Sequence, residues 1–239
     1  MLIMKITEFI KNEISGWKNI EIILLGIAFF LIAVNSVFLN DNIIAIISAI
    51  CGILYTIIAG KGKISCYLFG VCGSACYGYL SFSNALYGNL LLYICYYIPA
   101  QVIGFFSWKK HLKKASQEII KTSLNFRQKI TVITISVIGI VITYLILSYF
   151  RDSNPLLDSI TTFLSIIGMC LTVKRCIEQW IIWMIVNGLS FIMWLNLIIH
   201  GQKAYSTLVM WGIYVILAVY FYIEWRKELA LNNRQGEKS

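Results

Sequence analysis

Residues 130–150 read ITVITISVIGIVITYLILSYF, without one charged side chain. A helix rises about 1.5 Å per residue through a hydrocarbon layer about 30 Å thick, so roughly 20 apolar residues make one crossing. The stretch therefore predicts a transmembrane helix. Working outward, further apolar blocks lie near 20–38, 43–60, 64–82, 86–107, 156–173, 178–199 and 203–225. The block at 64–82 is the least apolar, being rich in Gly, Cys and Ser. The predicted fold class is an all-α integral membrane protein of about eight transmembrane helices. Composition agrees, because 59% hydrophobic and 13% charged residues leave too little polar surface for a soluble domain.

The net charge of +9 would suggest nucleic acid in a soluble protein. Here its distribution suggests topology instead. With a cytoplasmic N-terminus, one side holds Lys5, Lys11 and Lys18, then Lys61 and Lys63, then seven basic residues between 109 and 129. Lys174, Arg175, Arg226, Lys227, Arg234 and Lys238 complete that side, while the other keeps only Arg151 and Lys203. Such a positive-inside bias predicts both termini in the cytoplasm and no nucleic-acid partner. The seven cysteines are scattered without a C-x-x-C, so they read as packing residues, with neither disulfide nor metal expected. The first apolar block is span-length and lacks a small-x-small cleavage site, so no signal peptide is expected.

The expected map runs from an amphipathic interfacial segment (1–19) to an extra N-terminal span (20–40) and a first three-helix repeat (43–108). A basic cytoplasmic loop (109–129), a linker helix (130–150), a second three-helix repeat (155–227) and a polar tail (228–239) follow. In the first segment Ile3, Ile6, Phe9, Ile10, Ile14 and Trp17 recur at helical spacing, as on a helix lying in the membrane interface. The repeats rest on landmarks in common order. At an offset of 113, Lys61 meets Lys174, Tyr67 meets Trp180, Gly70 meets Trp183 and Ser74 meets Asn187. At 117, Tyr97 meets Tyr214, Gln101 meets Ala218 and Trp108 meets Trp225. With the linker between them the repeats run parallel, and such carriers place their solute at the repeat interface.

Two spans carry candidate binding residues. Trp180, Trp183, Asn187, Ser190 and Trp194 share a face roughly 80° wide on one helix. A mid-span Asn is costly unless it finds a partner. Its plain reading is a bond to a neighbouring helix; the functional one is a flat, polar or cationic ring held by two indoles and an amide. Tyr93, Tyr97, Gln101, Gly104 and Trp108 share a face of another span, with Pro99 among them. Proline permits a bend and frees a carbonyl, to which Gln101 could bond; alternatively the Gln101 amide serves a ribose or carboxamide. Cys66, Gly70, Ser74 and Gly78 at four-residue spacing read as a close-packing stripe. Glu21, Asp158, Glu178 and Glu224 all fall at span ends. Ion-coupled carriers usually need a buried acid, so uncoupled, facilitated diffusion is expected. No catalytic constellation is visible.

These residues resemble the PnuC family of bacterial vitamin transporters. The likeness is carried by Gly16-Trp17-Lys18 with Glu21, Ala59-Gly60-Lys61-Gly62-Lys63, Tyr87-Gly88, Tyr96-Tyr97-Ile98-Pro99 with Gln101, Gly104 and Trp108. Glu178-Gln179-Trp180, Trp183, Asn187 and Trp225-Arg226-Lys227 extend it across residues 16–227. The resemblance implies a SWEET-like fold in the bacterial inner membrane, a homotrimer, and nicotinamide riboside taken up passively and trapped by phosphorylation. It implies no cofactor. By the match, Trp180 and Trp183 line the nicotinamide site, Asn187 and Gln101 bond its polar groups, and Gln179, Tyr97 and Tyr93 complete the set. The chain departs from the family at Tyr93, where members often carry Asn, and relatives carry thiamine or riboflavin. Two other classes remain open at this point: a membrane-embedded enzyme, which would need acids, His or Lys near a span end, and a structural or receptor-like subunit.

Overall fold

A computed structural model describes residues 16–39, 43–83, 90–113, 118–151, 154–200 and 205–236. Most of the amphipathic N-terminal segment, the Tyr87-Gly88 motif, Lys203 and the end of the tail lie outside them, as does the side chain of Trp194. Among the described residues the chain is helical: α1 (Asn19–Leu39), α2 (Ile43–Gly60), α3 (Cys66–Ser83), a π-helical turn (Leu92–Tyr97), α4 (Ile98–Lys109), α5 (Phe126–Tyr149), α6 (Pro155–Val173), α7 (Glu178–Ile199) and α8 (Tyr205–Gly236). Four of them, α2, α5, α6 and residues 208–232 of α8, are long and apolar enough to cross a membrane. Residues 19–34 and 66–80 form shorter apolar helices. Only Ser136 and Gly139 are buried along α5, so Ile133, Val137, Ile138, Val141 and Leu145 face outward. Apolar surface on this scale suits lipid and not water.

The chain divides into two compact units at residues 120 and 121. In the first, α3 lies close against α2 because Gly73 presents bare backbone: a Cβ there would stand 3.1 Å from Cys51 Cβ. The Ser48 hydroxyl also donates to the Gly73 carbonyl, at 3.2 Å. In the second, the linker helix α5 packs on α6 where the Phe163 ring covers Gly139 so tightly that any side chain would overlap it. Small residues at such crossings let backbones approach without a hydrophobic driving force.

Both units end their second helix alike. After α2, Lys63 N–H donates to Ile58 and Gly62 N–H to Ala59, with Gly62 at φ +72°. After α6, Cys176 N–H donates to Leu171 and Arg175 N–H to Thr172, with Arg175 at φ +61°. Each is a left-handed stop that satisfies the last carbonyls. Arginine takes the left-handed place in the second unit, a conformation that costs L-residues about 1–2 kcal/mol.

The segment expected as a basic loop is ordered where it is described, as a strap. Ile119 N–H donates to the Gly62 carbonyl at 2.9 Å in the first unit. In the second, Thr122 N–H donates to the Arg175 carbonyl and the Thr122 carbonyl accepts from Ile177 N–H, while Leu124 N–H donates to the Glu178 carboxylate at 3.1 Å. Helix α8 runs on through polar residues to Gly236, past the tail expected from residue 228. Lys121 pairs with Glu228 and lies 5.1 Å over the Trp225 ring, which holds this end of the helix. The Cys176 thiol, buried beside the strap, is pushed up in pKa chiefly by that burial.

Basic residues of the first unit also hold its structure together. Lys61 Nζ donates at 2.7 Å to both Glu21 and the Gly16 carbonyl, and both partners of the ion pair are about 95% buried. Removing one member of such a pair strands the other charge. Glu21→Gln is therefore expected to destabilise the chain by about 3–5 kcal/mol, read as a lower melting temperature in detergent. Pairing it with Lys61→Met should recover most of that loss.

Candidate functional site

In the first unit the polar centre is Gln101 on α4. Its Nε2 donates to Ser74 Oγ on α3 at 3.0 Å, and its Oε1 is buried without a hydrogen-bond partner among the described residues. The freed-carbonyl bond expected from Pro99 is thus not the one made. Instead the backbone before Pro99 winds as a π-helix, with Ile98 N–H donating to Tyr93. The ring that would clash with the carbonyl four residues back finds room in the wider turn. Tyr93 and Tyr97 lie on this turn, half-buried, their rings 4.9 Å apart and edge to face. Tyr77 of α3 continues the row 4.4 Å from Tyr93. Gly70 makes the space: a Cβ there would lie 2.8 Å from the Tyr55 ring and 2.9 Å from Gln101 Oε1. Gly104 receives the Tyr67 ring in the same way, and Tyr67 stands edge to face on the fully buried Trp108, 5.0 Å away.

In the second unit the polar centre is α7. Asn187 and Ser190 are buried, and no hydrogen bond joins the Asn187 amide to another described residue. Trp183 is half-buried, and its Nε1 donates to Thr172 Oγ1 on α6 at 3.3 Å. Trp180 differs: it is enclosed against α8, 5.4 Å from Phe221 and 5.7 Å from Trp225, and its Nε1 has no partner among the described residues. Gln179, 1% exposed, likewise keeps an unpartnered Nε2. The geometry thus sets Trp183 and Asn187 apart from Trp180, which does packing work as well.

Unpartnered buried donors and acceptors each cost about 1–3 kcal/mol and call for a reason. At Gln101, Gln179 and Trp180 they are uncharged amides and an indole, groups that could serve a flat, polar guest. The acids are engaged elsewhere: Glu118 lies 3.8 Å from Lys63, Glu178 is 3.3 Å from Lys129 and Glu224 is 3.1 Å from Lys227. Among the described residues no cluster of three or more His, Cys, Asp or Glu could hold a metal ion. Ser74 and Gly70, expected only to pack, meet Gln101 here, and Tyr55, Gly168 and Thr172 stand beside the candidate residues with no local motif to mark them. The offset of 113 was the available signal, since it pairs Tyr55 with Gly168 and Gly70 with Trp183.

Gly70→Ala is expected to drive the Gln101 amide and the Tyr55 ring apart, destabilising the first unit by about 1–3 kcal/mol. Gly188→Ala, where nothing lies within 4 Å, should be tolerated, and thermal melting of the two variants checks the contrast.

Comparison with known proteins identifies the family. The profile of the nicotinamide mononucleotide transporter family matches residues 42–227. The nicotinamide riboside transporter PnuC of Neisseria mucosa is 33% identical over 230 residues, covering 94% of this chain and 88% of that one. That of Haemophilus influenzae is 29% identical over 96% of this chain and 100% of its own. The crystal structure of the vitamin B3 transporter PnuC superposes with a TM-score of 0.81 at 34% identity, covering 92% of this chain and 96% of that one. The chain belongs to the nicotinamide mononucleotide transporter family, among the PnuC proteins.

Proposed function

We propose that this membrane protein carries nicotinamide riboside by facilitated diffusion, with Trp183, Asn187 and Gln101 as the principal binding residues and Trp180, Gln179, Tyr97 and Tyr93 completing the set. As a member of a transporter family it is not an enzyme. Two observations carry the reading: in the first unit the buried Gln101 carbonyl has no hydrogen-bond partner among the described residues, and in the second the buried Asn187, four residues from Trp183 on α7, has an amide that no hydrogen bond joins to another described residue. A nicotinamide ring is flat and cationic, so an indole face attracts it without a buried anion. Its carboxamide and ribose supply donors and acceptors to match the amides. The same residues argue for the riboside over the mononucleotide, because none of them is Lys or Arg and a phosphate taken out of water needs a compensating charge. With the described acids at helix ends in ion pairs or outside the aromatic faces, nothing in the site invites proton or sodium coupling. Net uptake then depends on trapping of the riboside by phosphorylation inside the cell.

We further read the chain as eight spans in the bacterial inner membrane: an extra first helix, two parallel three-helix repeats and a linker, both termini cytoplasmic, assembled as a homotrimer. Three matched details support the repeats. The left-handed stops after α2 and α6 fall at Gly62 and Arg175, an offset of 113. Tyr67 on Trp108 and Trp180 on Trp225 are edge-to-face pairs at 78° and 81°. Tyr55 covers Gly70 in one unit and Trp183 covers Gly168 in the other, ring and glycine having exchanged helices.

Proteoliposomes of the purified chain should take up labelled nicotinamide riboside down its own gradient. Proton or sodium ionophores should leave the rate unchanged. Excess unlabelled riboside should compete at least tenfold better than the mononucleotide or thiamine, and Trp183→Ala and Asn187→Ala should each lower uptake at least tenfold. Preferential competition by thiamine or the mononucleotide would sink the substrate assignment; dependence on an ion gradient would sink the uncoupled mechanism.

A further inference from the structure

The indole of Trp183 is held along one edge by two residues of α6. Thr172, 2% exposed, uses its hydroxyl in both directions: it accepts from Trp183 Nε1 at 3.3 Å and donates to the Gly168 carbonyl at 2.9 Å. A hydroxyl has one proton to give, so the bond to Gly168 leaves its lone pairs aimed at the indole N–H. One turn earlier Gly168 presents bare backbone to the same edge. A Cβ there would meet Trp183 Cε2 at 3.1 Å, Trp183 Cζ2 at 3.2 Å and Ile182 Cγ2 at 3.2 Å, so the indole edge and the Ile182 methyl would each have to give by a few tenths of an ångström.

We infer that Thr172 is a positioning residue for solute recognition: through Trp183 Nε1 it fixes which way the indole face points, with Gly168 setting how near the ring lies to α6. The inference rests on the reading of Trp183 as a binding residue. Rotation of an aromatic ring about its second side-chain torsion is broad and weakly restrained, so packing alone does not select one face. Attraction for a cation exists over the face, whose quadrupole is negative, and turns unfavourable at the edge. A ring free to turn would therefore spend part of its time presenting the wrong surface. Thr172 needs no contact with the solute to control its affinity.

The test is riboside binding by calorimetry on the full chain in detergent, together with the fluorescence of Trp183, taken as the difference between each protein and its Trp183→Phe counterpart. Thr172→Val keeps the shape and removes the hydroxyl. It should weaken binding roughly three- to tenfold, the span of one lost hydrogen bond, while the melting temperature holds and the Trp183 emission shifts to the blue. Thr172→Ser should restore both affinity and emission. If Trp183→Ala loses binding while Thr172→Val binds as the parent does, the inference is overturned and the site stands. If Trp183→Ala itself binds normally, the site reading fails first. A Thr172→Ser protein as weak as Thr172→Val also overturns the inference, because the hydroxyl then is not the active feature. Should Thr172→Val not fold, Gly168→Ala asks the same question by crowding the same edge. Several-fold weaker binding at unchanged melting supports the positioning role, and parental affinity refutes it.

Discussion

Inside a bilayer no water is available to complete a hydrogen bond, and this constraint organises the whole chain. It forces the backbone into helices, which satisfy their own N–H and C=O groups. It also makes every buried polar side chain costly unless something answers it. Most polar groups here are answered from within: Ser48 by a carbonyl, Thr172 by Gly168 and Trp183, Lys61 by Glu21 and Gly16. The exceptions are therefore informative. Gln101 Oε1 and the Asn187 amide are buried with no hydrogen bond to another described residue. Under the proposed function, a guest with its own donors and acceptors would answer them.

The aromatic residues divide by role once their surroundings are known. Trp108, Trp180 and Trp225 stand in edge-to-face contacts between helices, where large rings fill space that aliphatic chains would leave void. Trp183, Tyr93 and Tyr97 keep part of their surface open. Glycines help place some of these rings and their neighbours. Gly104 admits Tyr67 and Gly168 admits Trp183, so the helix with the missing side chain decides where each ring can lie. The π-helical turn before Pro99 acts similarly, because one proline changes the pitch of the backbone that carries Tyr93 and Tyr97.

Ion pairs gather at the helix ends, where the protein meets water. Glu21 with Lys61, Glu178 with Lys129 and Lys121 with Glu228 tie connecting segments to helix termini. The strap of residues 118–124 adds backbone bonds to the stops after α2 and α6. Such caps tie the ends of each helical unit with charges at the helix termini.

Much of this was legible in the residues alone. Span-length apolar runs such as 130–150 require helices because composition and length fix the solvent. The membership of Trp180, Trp183 and Asn187 on one helical face followed from the 3.6-residue period. What the sequence could not settle is which of those neighbours is occupied by packing. Trp180 and Trp183 are three residues apart on α7, yet one is enclosed by Phe221 and Trp225 and the other stays half open with its nitrogen on Thr172. That difference arises from contacts with α8 and α6, distant in the chain. Likewise nothing local tells that Gln101 bonds Ser74, or that a loop rich in Lys is a strap. Periodicity orders residues along one helix; only packing between helices decides which polar atoms are left without a partner.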